Sequence, residues 1–158
     1  MQKTNVMRLL DKAHIEYKVF NYELSMDDFD GVKVAEILNL DPNKCFKTLS
    51  LKADKDLYIL CIPVNKKIDL KKGAANIGVK HLEMIHVKDL LKEVGYQRGE
   101  TSPIGITKRH KVYFDSSILN YEDVEISGGK MGVSIMLKRD DLIAYTKAEI
   151  SDLCREEE

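Results

Sequence analysis

Leu57 to Val64 is a run of eight residues without a charge. It is far too short to cross a bilayer, which takes about 20 apolar residues as a helix. It predicts a strongly apolar strand. The segment before it, Phe46 to Ala53, alternates: Phe46, Thr48 and Ser50 fall on one face, Leu49 and Leu51 on the other. Asp54-Lys55-Asp56 supplies the turn between them. The pair predicts an antiparallel hairpin at the centre of the chain.

Short strands and short helices surround this hairpin. Val6, Leu9, Leu10 and Ala13 have helical spacing over Asn5 to Ala13, with Thr4 or Asn5 as cap. Tyr17 to Tyr22 reads as a strand, and Ser25 to Gly31 as an acidic turn. Val32 to Leu40 reads as a helix that buries Val34, Ala35, Ile37 and Leu38, stopped by Asp41-Pro42-Asn43. Leu70 to Ile77 suits a helix ended by Gly78, and His81 to Ile85 a short strand or turn. Val87 to Val94 suits a helix with Leu90, Leu91 and Val94 inward, ended by Gly95. Lys111 to Asp115, Glu122 to Ile126 and Val133 to Leu137 read as strands. Arg139 to Tyr145 opens a last helix expected to continue past Leu153. Strands linked by tight turns favour a mixed, mostly antiparallel sheet over βαβ repetition. The expected architecture is an α/β fold with a mixed, mostly antiparallel sheet or a barrel-like core and flanking helices, formed as one domain over residues 1–158.

Composition excludes several classes. The 158 residues are 44% hydrophobic and 32% charged, a balance that supports a packed core. The net charge of -1 argues against binding nucleic acid through whole-protein charge, and no DNA partner is expected. Cys45, Cys61 and Cys154 make no disulfide framework, and the four histidines have no zinc spacing. No metal or cofactor is therefore expected. Met1 to Leu10 lacks the apolar stretch of a signal peptide, and no membrane span is found, so a cytoplasmic location is expected.

Four segments could carry chemistry. In Cys45-Phe46-Lys47-Thr48-Leu49, Lys47 shares a strand face with Leu49. An ammonium there either stabilises a developing oxyanion or is an ordinary snorkelling lysine. Gly95 to Gly105 holds three glycines and a proline in eleven residues, a tightly shaped loop that is either a site or a long connection. It lacks the closing Gly-Lys-Ser/Thr of a nucleotide-phosphate loop. Ser127-Gly128-Gly129-Lys130-Met131-Gly132 is a hairpin turn, a wall of backbone amides and a hydroxyl, or both. Asp69 to Ala75 with Lys66, Lys67 and Lys80, and Lys108 to Lys111, are basic stretches that could meet a phosphate backbone, but neither contains an aromatic for base stacking. No Ser/His/Asp or Cys/His nucleophile set can be assembled.

Taken together, Phe46-Lys47-Thr48-Leu49, Leu70-Lys71-Lys72-Gly73-Ala74-Ala75, Gly99-Glu100-Thr101-Ser102-Pro103-Ile104-Gly105 and Ser127 to Gly132 resemble, in order and spacing, the YbaK/EbsC family. That family is related to the editing domain inserted in bacterial prolyl-tRNA synthetase. The resemblance runs from about Asn5 to Leu153 and implies the family's mixed β fold. It implies Lys47 as the catalytic-site group. It implies Tyr22, Phe29, Thr48, Gly99, Ser127, Gly128, Gly129 and Ser134 as substrate-binding positions. Two positions depart from the pattern. An aromatic-glycine pair before the second helix reads Asp30-Gly31 here, with Phe29 displaced by one, and an acidic position after Lys-x-Gly is Ser134.

The activity implied is removal of misattached cysteine from tRNA for proline, and from Cys-tRNA(Cys), by attack of the substrate's own thiol. The partners implied are the 3' acceptor end of aminoacyl-tRNA and prolyl-tRNA synthetase. An alanyl-tRNA(Pro) or other aminoacyl-tRNA deacylase using water, and a non-catalytic aminoacyl-tRNA binding module, are the alternatives.

Overall fold

The computed structural model describes residues 2–106, 108 and 110–156. Helix α1 (Asn5–Lys12) is capped by Thr4, whose hydroxyl accepts the Met7 N–H at 3.2 Å, and is followed by β1 (Tyr17–Asn21). After a 3-10 turn, α2 (Gly31–Ile37) starts at Asp30, whose carboxylate accepts the Val32 N–H at 3.0 Å. The expected hairpin is β2 (Phe46–Ala53) and β3 (Asp56–Pro63), turned by Asp54 at a positive φ of 56°. Next come β4 (Lys66–Ile68), α3 (Leu70–Ile77), β5 (Glu83–Met84) and α4 (Val87–Val94). Gly78 and Gly95 end the two helices in the left-handed region, as their positions in the sequence predict. The chain finishes with β6 (Lys111–Asp115), β7 (Asp123–Lys130), β8 (Val133–Lys138), α5 (Arg139–Thr146), β9 (Glu149–Ser151) and β10 (Cys154–Glu156).

The strands form a five-stranded sheet in the order β5-β2-β3-β6-β9, a three-stranded sheet β1-β8-β7, and the pair β10-β4. The ladders β3-β6 and β6-β9 are parallel; the others are antiparallel. An isolated parallel bridge, Cys45 to Glu125, draws β7 against the start of β2.

Strand parity explains the core. Phe46, Ile59, Cys61, Val112 and Phe114 of the large sheet meet Val124, Ile126, Ile135 and Leu137 of the small one, with Val6, Met7 and Leu10 of α1 beside them. The opposite face of the large sheet places Leu51, Leu60, Ile62 and Tyr113 against Ala74 of α3, with Leu82 and Leu153. Strand β3 is thus buried on both faces, which accounts for its uninterrupted apolar run.

Three expectations need correcting. The last helix does not run past Leu153: Lys147 turns left-handed at φ 56°, and the Ala148 N–H closes back on Ile143 O at 3.2 Å. Ile150 then joins the main core and Leu153 the second one. Strand β9 enters the large sheet beside β6, and the chain then crosses to the other layer. Ile37 is not inward but 51% exposed, because α2 is short: Val34 and Ala35 are its buried residues, and Ala35 packs with Cys45 and Val64, flanked by Val32 and Leu40. Leu91 is likewise 57% exposed, since α4 packs through Leu90 and Val94.

Candidate active site

The ladder between β2 and β5 spans only Leu51 and Lys52, so the earlier part of β2 borders a cavity of about 480 Å³. That volume is in the range of small-molecule sites. Five successive β2 residues, Phe46 to Ser50, line it, and Lys47 is half-buried among them. Cys61 Sγ lies 3.7 Å from Thr48 Oγ1 and tethers that side chain from β3.

The second wall is the β7-β8 hairpin. Val124 and Ile126 of β7 and Ile135 and Leu137 of β8 point into the core. Period-two alternation therefore sends Glu125, Ser127 and Ser134 to the other side, where all three line the cavity. Ser127 and Ser134 are direct ladder partners. The ladder then slips between Ser127 and Lys130, a bulge that the Gly-Gly pair permits. Gly129 has φ +91°, and a Cβ there would sit 2.8 Å from Val6 Cγ2. Gly128 and Gly129 are not among the lining residues; they shape the bulge, and the Gly129 N–H donates to Ser127 Oγ at 3.1 Å.

The glycine-rich loop closes a third side through Arg98, Gly99 and Thr101. Gly99 has φ +84°. Ser127 Oγ donates to Glu100 O at 2.9 Å, and Glu100 Oε2 accepts the Met131 N–H at 3.3 Å. The loop and hairpin are therefore one clasped unit. Deeper in the loop, the Tyr96 hydroxyl donates to Ile104 O, and Ser102 Oγ accepts the Ile104 N–H at 3.3 Å.

Tyr22 and Phe29 add an aromatic edge, while Met84, Ile85, Val87 and Leu90 form an apolar wall. Phe29 reaches the cavity although the aromatic is displaced by one residue. Gly31, also lining, has no room for a side chain: its Cβ would fall 2.6 Å from Val64 Cγ1. Burial raises the Tyr22 phenol; a hydrogen bond with the Gly132 backbone opposes this and the Glu125 carboxyl adds to it.

Of the sequence-predicted residues, Lys47, Tyr22, Phe29, Thr48, Gly99, Ser127 and Ser134 meet at one cavity. Glu125, Arg98 and the apolar wall were not anticipated. Glu125 is 6% exposed and Ser134 2%. Burial pushes the Glu125 carboxyl up to about 7, while hydrogen bonds from Ser134 and Cys45 hold it back. Cys45 is no nucleophile: it is fully buried, its Sγ donates to Asp41 O at 3.4 Å, and burial with the adjacent Glu125 drives its thiol well above the ordinary range.

The Leu70–Ala75 motif lies away from the cavity. Asp69 caps α3 by accepting the Lys72 N–H at 2.9 Å, and Lys72 Nζ donates to Cys154 O at 2.6 Å and pairs with Asp152 at 3.1 Å. Lys66 pairs with Glu156, and Lys108 with Glu93 at 3.3 Å. Arg109 of the second basic stretch lies outside the described residues.

Residues 30–145 match the family described as the aminoacyl-tRNA editing domain. EbsC of Enterococcus faecalis, described as a candidate Cys-tRNA(Pro)/Cys-tRNA(Cys) deacylase, is 34% identical over 157 residues, 99% of this chain and 96% of that protein. A proline–tRNA ligase of Thermosipho melanesiensis is 24% identical over 132 residues, 77% of this chain and 23% of the ligase. Among solved structures, a candidate trans-editing enzyme for prolyl tRNA synthetase superposes with TM-score 0.82 at 20% identity, covering 98% of this chain and 99% of that one. A hypothetical protein superposes with TM-score 0.86 at 16% identity, covering 96% of this chain and all of the other (100%). With the editing-domain match spanning most of its length, and the cavity built where the motifs fall, this chain belongs to the aminoacyl-tRNA editing domain family.

Proposed function

We propose that the protein is a trans-editing deacylase that removes cysteine from Cys-tRNA(Pro), and from Cys-tRNA(Cys), in the cytoplasm. The observation that carries the reading is the convergence of Lys47, Tyr22, Phe29, Thr48, Gly99, Ser127 and Ser134 on one cavity. Full-length similarity to EbsC supports the substrate. The 3'-terminal adenosine and its ester enter the cavity. Lys47 holds a phosphate, sugar or carbonyl oxygen and counters the charge that develops when the carbonyl is attacked. Thr48, Ser127 and Ser134 supply hydroxyls at the wall, and Tyr22 and Phe29 bound the space.

On the family's precedent the attacking atom is the substrate's own sulfur, which suits a cavity whose described lining residues include no cysteine or histidine. The cysteine sulfur bonds to the carbonyl carbon, and the carbon–oxygen bond to the ribose breaks. The thiol proton leaves with the ribose hydroxyl, and water opens the resulting cyclic thioester. Alanine and proline esters lack the sulfur and are spared. Family precedent makes prolyl-tRNA synthetase the partner that presents the tRNA, which suits a chain whose net charge of -1 gives it little general attraction for a polyanion.

The test is hydrolysis of Cys-tRNA(Pro) and Ala-tRNA(Pro) side by side. Cysteine should be released faster by on the order of 10²–10³-fold, the advantage of a nucleophile already tethered to the ester. Equal release of alanine would replace thiol attack by water attack. Binding without any turnover would make the protein a binding module.

A further inference from the structure

Glu125 has no role in the chemistry above, yet it lies in the cavity wall. Among the described lining residues it is the one carboxylic acid, and the other formal charges there are the cations of Lys47 and Arg98. The three groups are graded by depth. Arg98 is exposed at the rim, Lys47 is half-buried on β2, and Glu125 is almost fully buried on β7. A buried carboxyl facing open space is costly unless something compensates it. Ser134 and the Cys45 thiol each offer it a hydrogen bond, but the single thiol proton is shared with Asp41 O. Neither neighbour carries a positive charge.

An α-aminoacyl ester has the matching polarity. Its nucleotide end is anionic and suits the Arg98–Lys47 side. Its α-ammonium is a cation that those two residues repel and that a carboxylate receives with both charge and hydrogen bonds. We propose that Glu125 is the specificity residue that binds the free α-ammonium group of the aminoacyl ester. The site is thereby restricted to esters with an unblocked amine and excludes N-acylated and peptidyl esters. This rests on the deacylase reading, and it adds a substrate requirement that the thiol mechanism alone does not impose, because N-acetylcysteine keeps its sulfur. Charge also completes the site: the incoming ammonium draws the carboxyl, raised toward neutrality by burial, into its ionised form.

The experiment compares Cys-tRNA(Pro) with N-acetyl-Cys-tRNA(Pro) for the wild-type protein and for Glu125→Gln. The amide is isosteric and can still meet Ser134 and Cys45, and a melting curve checks its fold. The wild type should prefer the free amine by roughly 10- to 100-fold in kcat/KM, the worth of a charged hydrogen bond. Glu125→Gln should collapse that preference towards unity, with the loss carried by KM. Equal cleavage of the two esters by the wild type overturns the inference and leaves the deacylase reading standing. A Glu125→Gln variant that keeps the preference but loses kcat also overturns it, assigning Glu125 to proton transfer instead. A wild type that cleaves neither ester sinks the deacylase reading, and the inference with it.

Discussion

Glu125 couples the cavity to pH. Burial lifts its carboxyl in the folded protein to about 7, against an ordinary carboxyl near 4.5. Between those two values the folded chain holds a proton that the unfolded chain releases, so stability falls as pH rises from about 4.5 to about 7 and is flat above. Glu125→Gln removes this dependence. Urea unfolding at pH 5 and pH 8 should show the variant gaining on the wild type by about 2–3 kcal/mol between the two; an unchanged difference would mean that Glu125 ionises freely. The motif residues of the site were legible in the sequence, because Lys47, Thr48, Gly99 and Ser127 sit in short local patterns. Glu125 was not. A charge two places before Ser127 reads as a wet-face residue until β2 and the glycine loop are known to cover that face of β7. Ser134, conspicuous as the place where an acidic residue was expected, instead hydrogen-bonds the carboxyl that stands on the neighbouring strand.

Most elements follow from local signals. The β2-β3 hairpin, α3 with Gly78 and α4 with Gly95 lie where turn residues and periodicity put them. The C-terminal strands do not, because their conformation is imposed from a distance. Asp115, at the end of β6, is nearly buried and accepts the Leu153 N–H at 2.9 Å and the Ser117 N–H at 3.1 Å. Burial alone would raise this carboxyl, but the hydrogen bonds win and hold it below its ordinary value. No sequence window joins residues 115 and 153. Asp115→Ala leaves a buried N–H without its acceptor and should cost about 1–3 kcal/mol. Amide exchange at Leu153 should accelerate ahead of exchange in β3; protection that stays as high as in the wild type would show that the tail is held by packing alone.

The molecule as a whole builds its site at a seam. Two sheets and a clasped loop meet where β2 runs beyond its short neighbour β5, and the bridge from Cys45 to Glu125 fixes the distance between the walls. The sequence motifs marked three of the pieces. Their meeting point depends on strand order, which local patterning does not encode. Among the described residues no helix is long and apolar enough to cross a membrane. The central claim is that this seam is a deacylase site in which Lys47 stabilises the reacting ester. Its most direct test is single-turnover hydrolysis of Cys-tRNA(Pro) by wild type and Lys47→Ala, with melting curves for both. The account predicts a rate lower by on the order of 10²–10³-fold, the usual cost of removing a group that stabilises an oxyanion, at an unchanged melting temperature. A folded Lys47→Ala protein that clears the ester at the wild-type rate would contradict it.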